Sequence, residues 1–131
     1  MKKILLFLLF LLSYFSFSQS NKDLTINKIK TFISKNGVLP GTDKLAGNTP
    51  VIYFDKSTKE INIDNFSFSL SEVNIIYEYK YQYGNHSMTF ECKYSKCISD
   101  INGHKSDGFG IPISSKQKCY ELIGLFNQLK Y

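Results

Sequence analysis

The sequence contains no arginine, because all 16 of its basic residues are lysines. Arginine supplies the planar, bidentate donor group that dominates recognition of bases and phosphates. The formal net charge is +5, and it falls to +3 without Lys2 and Lys3, since 14 lysines then face 11 acidic residues. A mild charge without arginine argues against nucleic acid as a partner.

The sequence also has no hydrophobic run long enough for a transmembrane helix. Its longest run, from Ile4 to Phe17, has 14 residues and is interrupted by serine, whereas a spanning helix needs about 20. Two lysines precede this run, and Ser16-Phe17-Ser18 offers the small residues that a signal peptidase reads. We predict a signal peptide over residues 1–18, cleaved near residues 18–20, and a secreted or periplasmic product without a membrane span.

Cysteine is scarce, and the first of the three cysteines is Cys92, so a lipid anchor just after the apolar run is not expected. A two-residue turn at Tyr94-Ser95 would make Cys92 and Cys97 a non-hydrogen-bonded pair with Cα atoms about 4.5 Å apart. In an exported chain, this spacing predicts a disulfide. Cys119 lies on the apolar stripe of the last predicted helix, which favours a buried free thiol; an intermolecular disulfide is the alternative.

Residues 21–131 suffice for one globular domain and are too few for two. Apolar residues at helical spacing predict a helix over Lys22–Lys35, ended by Asn36-Gly37. The next segment, Val38–Pro50, has no periodicity and several glycine and proline residues, which predicts an unusually long loop.

After Pro50 the apolar pattern alternates, which predicts a meander of about seven short strands. The predicted strands are Val51–Phe54, Glu60–Asp64, the alternating Phe66, Phe68 and Leu70, Val73–Tyr83, a hairpin of Met88–Tyr94 with Cys97–Ile101, and Phe109–Ile113. Ser114 and Gln117 fit a capping box that opens a C-terminal amphipathic helix. The predicted core stripe of this helix is Cys119, Leu122, Ile123, Phe126 and Leu129.

About seven antiparallel strands followed by one amphipathic helix resemble the order of elements in pleckstrin-homology-like domains, over roughly residues 51–131. The segment Gly110-Ile-Pro-Ile-Ser-Ser-Lys also looks like a feature of small secreted bacterial proteins of unknown function, and we expect a bacterial source. The resemblance implies an α+β fold whose strands form a roll or barrel. A cystatin-like fold, with the first helix central, is the alternative. A likeness of architecture implies no functional residues.

Tyr77, Tyr79, Tyr81 and Tyr83 share one face of the predicted strand Val73–Tyr83. Aligned tyrosines stack on sugars or anchor a protein partner, although the row also fits the lining of a core. We predict that Tyr81 and Tyr83 bind the ligand of a non-enzymatic domain, and that this ligand is a protein or a glycan. The Gly84–Ser87 turn and the Val38–Pro50 loop are expected to contribute.

His86 and His104 support an alternative function, a small secreted hydrolase of ribonuclease type in which two histidines act as acid and base. Asp100 and Asp107 flank a polar loop that lacks the spacing of an EF-hand. The histidines and cysteines together match no common zinc module. We predict no metal site and no cofactor.

Overall fold

The computed structural model describes residues 21–80 and 84–131, and this part of the chain forms two α-helices and two antiparallel sheets. Helix α1 comprises residues 21–36 of this range, and α2 is Lys116–Lys130. The strands are β1 (Ile52–Phe54), β2 (Glu60–Ile63), β3 (Phe66–Ser69), β4 (Val73–Lys80), β5 (Asn85–Cys92), β6 (Ile98–Ser99), β7 (Lys105–Ser106) and β8 (Gly108–Ile113). The predicted α+β class, with an N-terminal and a C-terminal helix, is confirmed. The predicted signal peptide lies outside the described residues.

The strands divide into a five-stranded sheet, ordered β1-β2-β3-β6-β7, and a three-stranded sheet, ordered β4-β5-β8. A 3-10 turn at Leu70–Glu72 carries the chain from β3 into β4, and these two strands do not pair. The described strands therefore form two open sheets and no closed barrel. The predicted barrel, one of the two alternatives, is wrong, because pairing stops at the corner between β3 and β4.

The core joins both sheets and α2 through aromatic rings. The ring centroid of Phe90, on β5, lies 4.7 Å from that of Phe68 on β3 and 5.0 Å from that of Phe126 on α2. Phe66 stacks on Phe109 of β8 at 4.5 Å, a second contact between the sheets. Each such pair adds about 0.5–1.5 kcal/mol beyond the burial of its surface. One continuous core thus holds the two sheets together.

Helix α2 begins one residue later than predicted. Its N-cap is Ser115, whose hydroxyl accepts the backbone N–H of Lys118 at 3.2 Å. Ser114 instead donates its backbone N–H to the Asn36 carbonyl at 3.0 Å, which ties the start of α2 to the end of α1. The predicted core stripe is correct for four positions, and the fifth, Ile123, is only partly buried.

The C-terminal end of α2 receives lysines from other elements. The Lys22 ammonium on α1 donates to the Gln128 carbonyl at 2.5 Å, and Lys59 donates to the Leu129 carbonyl at 3.3 Å. Cations at this end of a helix bind its unsatisfied carbonyls and interact favourably with its dipole. Partial burial and the nearby charges of Lys59 and Lys56 lower the pKa of Lys22.

The predicted hairpin of Met88–Tyr94 with Cys97–Ile101 is wrong. Strand β5 pairs with β4 and β8, whereas β6 pairs with β3 and β7 in the other sheet. The Cys92 N–H donates to the Asp107 carbonyl at 2.8 Å, and the Lys93 N–H donates to the Glu72 carbonyl at 2.9 Å. Because these backbone groups already have partners, the chain after Cys92 crosses to the second sheet instead of folding back.

The predicted disulfide between Cys92 and Cys97 is confirmed, but its setting differs from the expected hairpin. Cys92 ends β5 and Cys97 directly precedes β6, so the bond links the two sheets. The two Cα atoms are 5.8 Å apart, in the common range for disulfides and wider than a facing strand pair. Among the residues that the structure describes, no helix is long and apolar enough to cross a membrane.

Candidate functional site

The tyrosine row on β4 runs from the core to solvent. Val73 is fully buried, Ile75 and Tyr77 are partly buried, and Tyr79 is 43% exposed. The row therefore lines the core at its start and reaches the surface further along. Tyr81 and Tyr83, the predicted ligand-binding residues, lie outside the described residues.

Four rings form an aromatic cluster at the end of β4: Tyr77, Tyr79, His86 and Tyr120. The ring centroid of Tyr77 lies 5.6 Å from that of Tyr120 on α2 and 5.8 Å from that of His86 on β5. Tyr79 faces His86 across the strand pair, with centroids 5.2 Å apart. The cluster is thus continuous from the helix across two strands, and Tyr120 is 55% exposed.

A hydrogen bond fixes the centre of the aromatic cluster. The Tyr77 hydroxyl and His86 Nδ1 are 2.7 Å apart, and the tautomer of the imidazole decides which of them donates. Burial raises the pKa of Tyr77, and the neighbouring Cys119, Tyr120 and Tyr79 raise it further. The hydroxyl therefore keeps its proton at neutral pH, and the pair stays hydrogen-bonded with either tautomer.

Lys116 adds a positive charge beside the rings. It occupies the first turn of α2, and its ammonium lies 5.2 Å from the centroid of the Tyr77 ring. A cation over an aromatic face at this distance contributes on the order of 0.5–1 kcal/mol at an exposed site. The contact therefore adds a weak link between the start of α2 and β4.

The long Val38–Pro50 loop is anchored by Asn85, a residue of the expected Gly84–Ser87 turn whose hydrogen-bonding role the sequence did not indicate. Its side chain lies on the face of β5 opposite the aromatic cluster. Asn85 accepts the Gly41 N–H and donates from Nδ2 to the Thr42 carbonyl at 3.0 Å. It directly precedes His86 on β5 and is buried. The only signal in the sequence was a Gly-Asn pair, which is also the usual composition of an exposed turn.

The aromatic cluster offers ring faces next to hydrogen-bonding groups. Comparisons with protein-family models, curated proteins and solved structures found no match. In the described part of the chain, the Tyr77 hydroxyl is the hydrogen-bonding partner found for the His86 ring, and no serine or cysteine is joined to it.

The two histidines of the hydrolase hypothesis lie at different ends of the sheet. His86 begins the part of β5 that pairs with β8, and Glu91, opposite Gly108, ends it. Five strand residues span about 17 Å. His104 belongs to the turn between β6 and β7, and β7 leads directly to Asp107, which is hydrogen-bonded to Cys92 at the end of β5 away from His86. The described geometry offers these histidines no common site.

His104 serves the turn between β6 and β7 instead. Its Nδ1 is 3.4 Å from Asp100 Oδ2, and Asp100 Oδ1 accepts the backbone N–H groups of Asn102 and His104, both at 2.9 Å. Desolvation raises the pKa of Asp100, but these hydrogen bonds and the imidazole outweigh it, so the pKa is lower than usual. This pattern is that of a side chain that closes a turn.

Cys119 is a fully buried free thiol, as predicted. Burial raises its pKa to about 11, so very little thiolate is present at neutral pH. Within residues 21–80 and 84–131, no group of three or more His, Cys, Asp and Glu side chains is placed to hold a metal ion.

Proposed function

We propose that this protein is a secreted or periplasmic, non-enzymatic domain that binds a protein or a glycan through the aromatic cluster. The observation that supports this most directly is the exposure of Tyr79 and Tyr120 on either side of a fixed Tyr77–His86 pair. Tyrosine brings a large contact area at a low entropic cost, together with a polar group at its tip.

A glycan is the favoured ligand. A sugar presents an apolar face and a rim of hydroxyls. A matching site has an aromatic side chain for the apolar face, with hydrogen-bond donors and acceptors beside it for the hydroxyls. The aromatic cluster has this alternation, with tyrosine faces beside the His86 imidazole and the Lys116 ammonium. Because the hydrogen bond and the cation–π contact hold these groups before binding, less ordering entropy is lost on association.

The proposal is tested with a Tyr79→Ala/Tyr120→Ala variant on a glycan array and in pull-downs from envelope extracts. We expect affinity to fall at least tenfold, about 1.4 kcal/mol, with little change in Tm. Tyr53→Ala, which removes an exposed tyrosine from β1, is the matched control and should bind normally. A Tyr81→Ala/Tyr83→Ala variant tests the rest of the row. Lower stability with binding intact in both double variants would contradict the proposal.

The location and the finer fold likeness belong to the same proposal. The Cys92–Cys97 disulfide and the signal-peptide pattern of residues 1–18 support export, and N-terminal sequencing of the mature protein tests it. The succession of β-strands before α2 supports the pleckstrin-homology-like order of elements over the cystatin-like alternative.

A further inference from the structure

The outer face of the three-stranded sheet, opposite the core, carries two adjoining depressions that share Lys80. The larger one has a volume of about 400 Å³, and its polar lining includes Glu78, Glu91 and Asp107. The smaller one has a volume of about 180 Å³ and is lined in part by Ser87 and Gly110. We refer to the two depressions together as the trough.

The trough exists because β8 has no long side chains on this face. Its outward positions are Gly108, Gly110 and Pro112, whereas the solvent face of an antiparallel sheet usually carries long polar residues. A Cβ atom at Gly110 would lie only 2.7 Å from Ser87 Oγ and 3.3 Å from Lys80 Nζ. Glycine inside a strand often marks close approach of a ligand or of another backbone.

Lys80 places a positive charge over the floor of the trough. Its side chain crosses from β4 over β5, so that Nζ lies above Gly110. Among the described residues, no carboxylate lies within 4 Å of this ammonium. The Ser87 hydroxyl beneath it is buried, donates to the Ile111 carbonyl at 3.3 Å and lies 3.4 Å from the Thr89 hydroxyl.

The larger depression is acidic. Glu78 accepts a hydrogen bond from the Thr89 hydroxyl at 3.2 Å, and none of Glu78, Glu91 and Asp107 forms an ion pair with a lysine of the described residues. Gly110 is opposite Thr89, and Glu91 follows two residues later on β5. Two strand residues span about 7 Å. Glu78 therefore lies beside the Lys80 ammonium, and the region that contains Glu91 lies about two residues further along β5.

We propose that the trough binds a zwitterionic di- or tripeptide with free termini. The carboxylate lies against the Lys80 ammonium, and the terminal ammonium lies near Glu91 and Asp107. An extended peptide advances about 3.3–3.6 Å per residue, so a dipeptide matches the separation of the two charged regions. This site is independent of the aromatic cluster, which lies on the other face of the sheet.

The test is an NMR titration of the ¹⁵N-labelled protein with Ala-Ala, Ala-Ala amide and N-acetyl-Ala-Ala, following the backbone amides of Thr89 and Gly110. We expect Ala-Ala to bind with a Kd of about 1 mM or tighter, and each blocked peptide to bind at least about fivefold more weakly. Lys80→Met keeps the aliphatic cover of the trough and should abolish the preference for the free carboxylate. Glu91→Gln should reduce the preference for the free ammonium.

Two controls separate this site from general charge effects and from the aromatic cluster. Lys56→Met removes an exposed lysine from the turn between β1 and β2 and should leave the titration unchanged, as should Tyr79→Ala/Tyr120→Ala. The proposal is overturned if no shift occurs up to about 20 mM Ala-Ala, or if blocked and free peptides bind equally. It is also overturned if Lys80→Met, with a native spectrum, retains the preference for the free carboxylate.

Discussion

Replacing both Cys92 and Cys97 by serine removes the covalent link between the two sheets. The cysteines are five positions apart, so the bond closes a six-residue loop. In the chain-entropy model, such a loop contributes about 7 cal/mol/K, or about 2 kcal/mol at 25 °C. With an unfolding entropy of about 2.1 cal/mol/K per residue, residues 21–131 have about 0.23 kcal/mol/K, which predicts a Tm lower by about 9 °C.

Thermal unfolding followed by circular dichroism measures this difference. The double-serine variant and the reduced wild-type protein should show the same loss, whereas Cys119→Ala, which leaves the disulfide intact, is the control for a cysteine substitution as such. Amide hydrogen exchange should increase most in β6 and β7, because each has only two residues and the bond fixes the start of β6. A loss below about 2 °C, or a uniform rise in exchange, would refute this reasoning.

Three further predictions follow from buried or hydrogen-bonded side chains. Cys119 should not react with Ellman's reagent at pH 8 in the native state, because a pKa near 11 leaves about 100-fold less thiolate than a pKa of 9. Rapid labelling of Cys119 in the folded protein would contradict this. Leu122→Ala should lower the free energy of unfolding in urea by about 2–5 kcal/mol, because Leu122 is fully buried, and a loss below about 1 kcal/mol would show that the site collapses around the smaller residue. Asp100→Asn should have a lower free energy of unfolding than the wild type at neutral pH, and this difference should disappear as the pH falls below about 4. The stability that a lowered carboxyl pKa provides is lost when the folded protein takes up the proton. A constant difference down to pH about 2.5 would refute this prediction.

Local patterns in the sequence predicted the elements that have a regular apolar period. The stripe of α2 is correct at Cys119, Leu122, Phe126 and Leu129 because a 3.6-residue period leaves few choices for a buried helix face. The period of two along β4 likewise places Val73, Tyr77 and Tyr79 on one face. The change from buried Val73 to exposed Tyr79 along that face depends on where the core ends, which the period does not show. The Cys92–Cys97 disulfide was predicted correctly although the hairpin assumed for it was wrong, because two cysteines five positions apart come close in either arrangement.

The pairing of strands could not be predicted, because it depends on residues far apart in the sequence. Cys92 and Cys97 looked like the two sides of a hairpin, but β5 finds a longer partner in β8, where Phe109 fits between Phe66 and Phe90. Strand β6 has only two residues and no periodic signal.

The candidate site could be predicted only in part, because it too depends on residues far apart in the sequence. The tyrosine row indicated one strand of the aromatic cluster. Tyr120 belongs to a helix that reaches the cluster only through tertiary packing. The trough depends on Lys80 lying over Gly110, a contact across three strands.

The lysines at the end of α2 have a consequence for how the molecule opens. Lys22 reaches this helix from α1, Lys59 reaches it from beside β2, and Lys130 of α2 itself donates to the Val73 carbonyl at the start of β4 at 2.7 Å. Fraying of the last turn of α2 would therefore release contacts to the first helix and to both sheets at once. The last turn of α2 should therefore open together with the core, whereas terminal turns usually open independently of it.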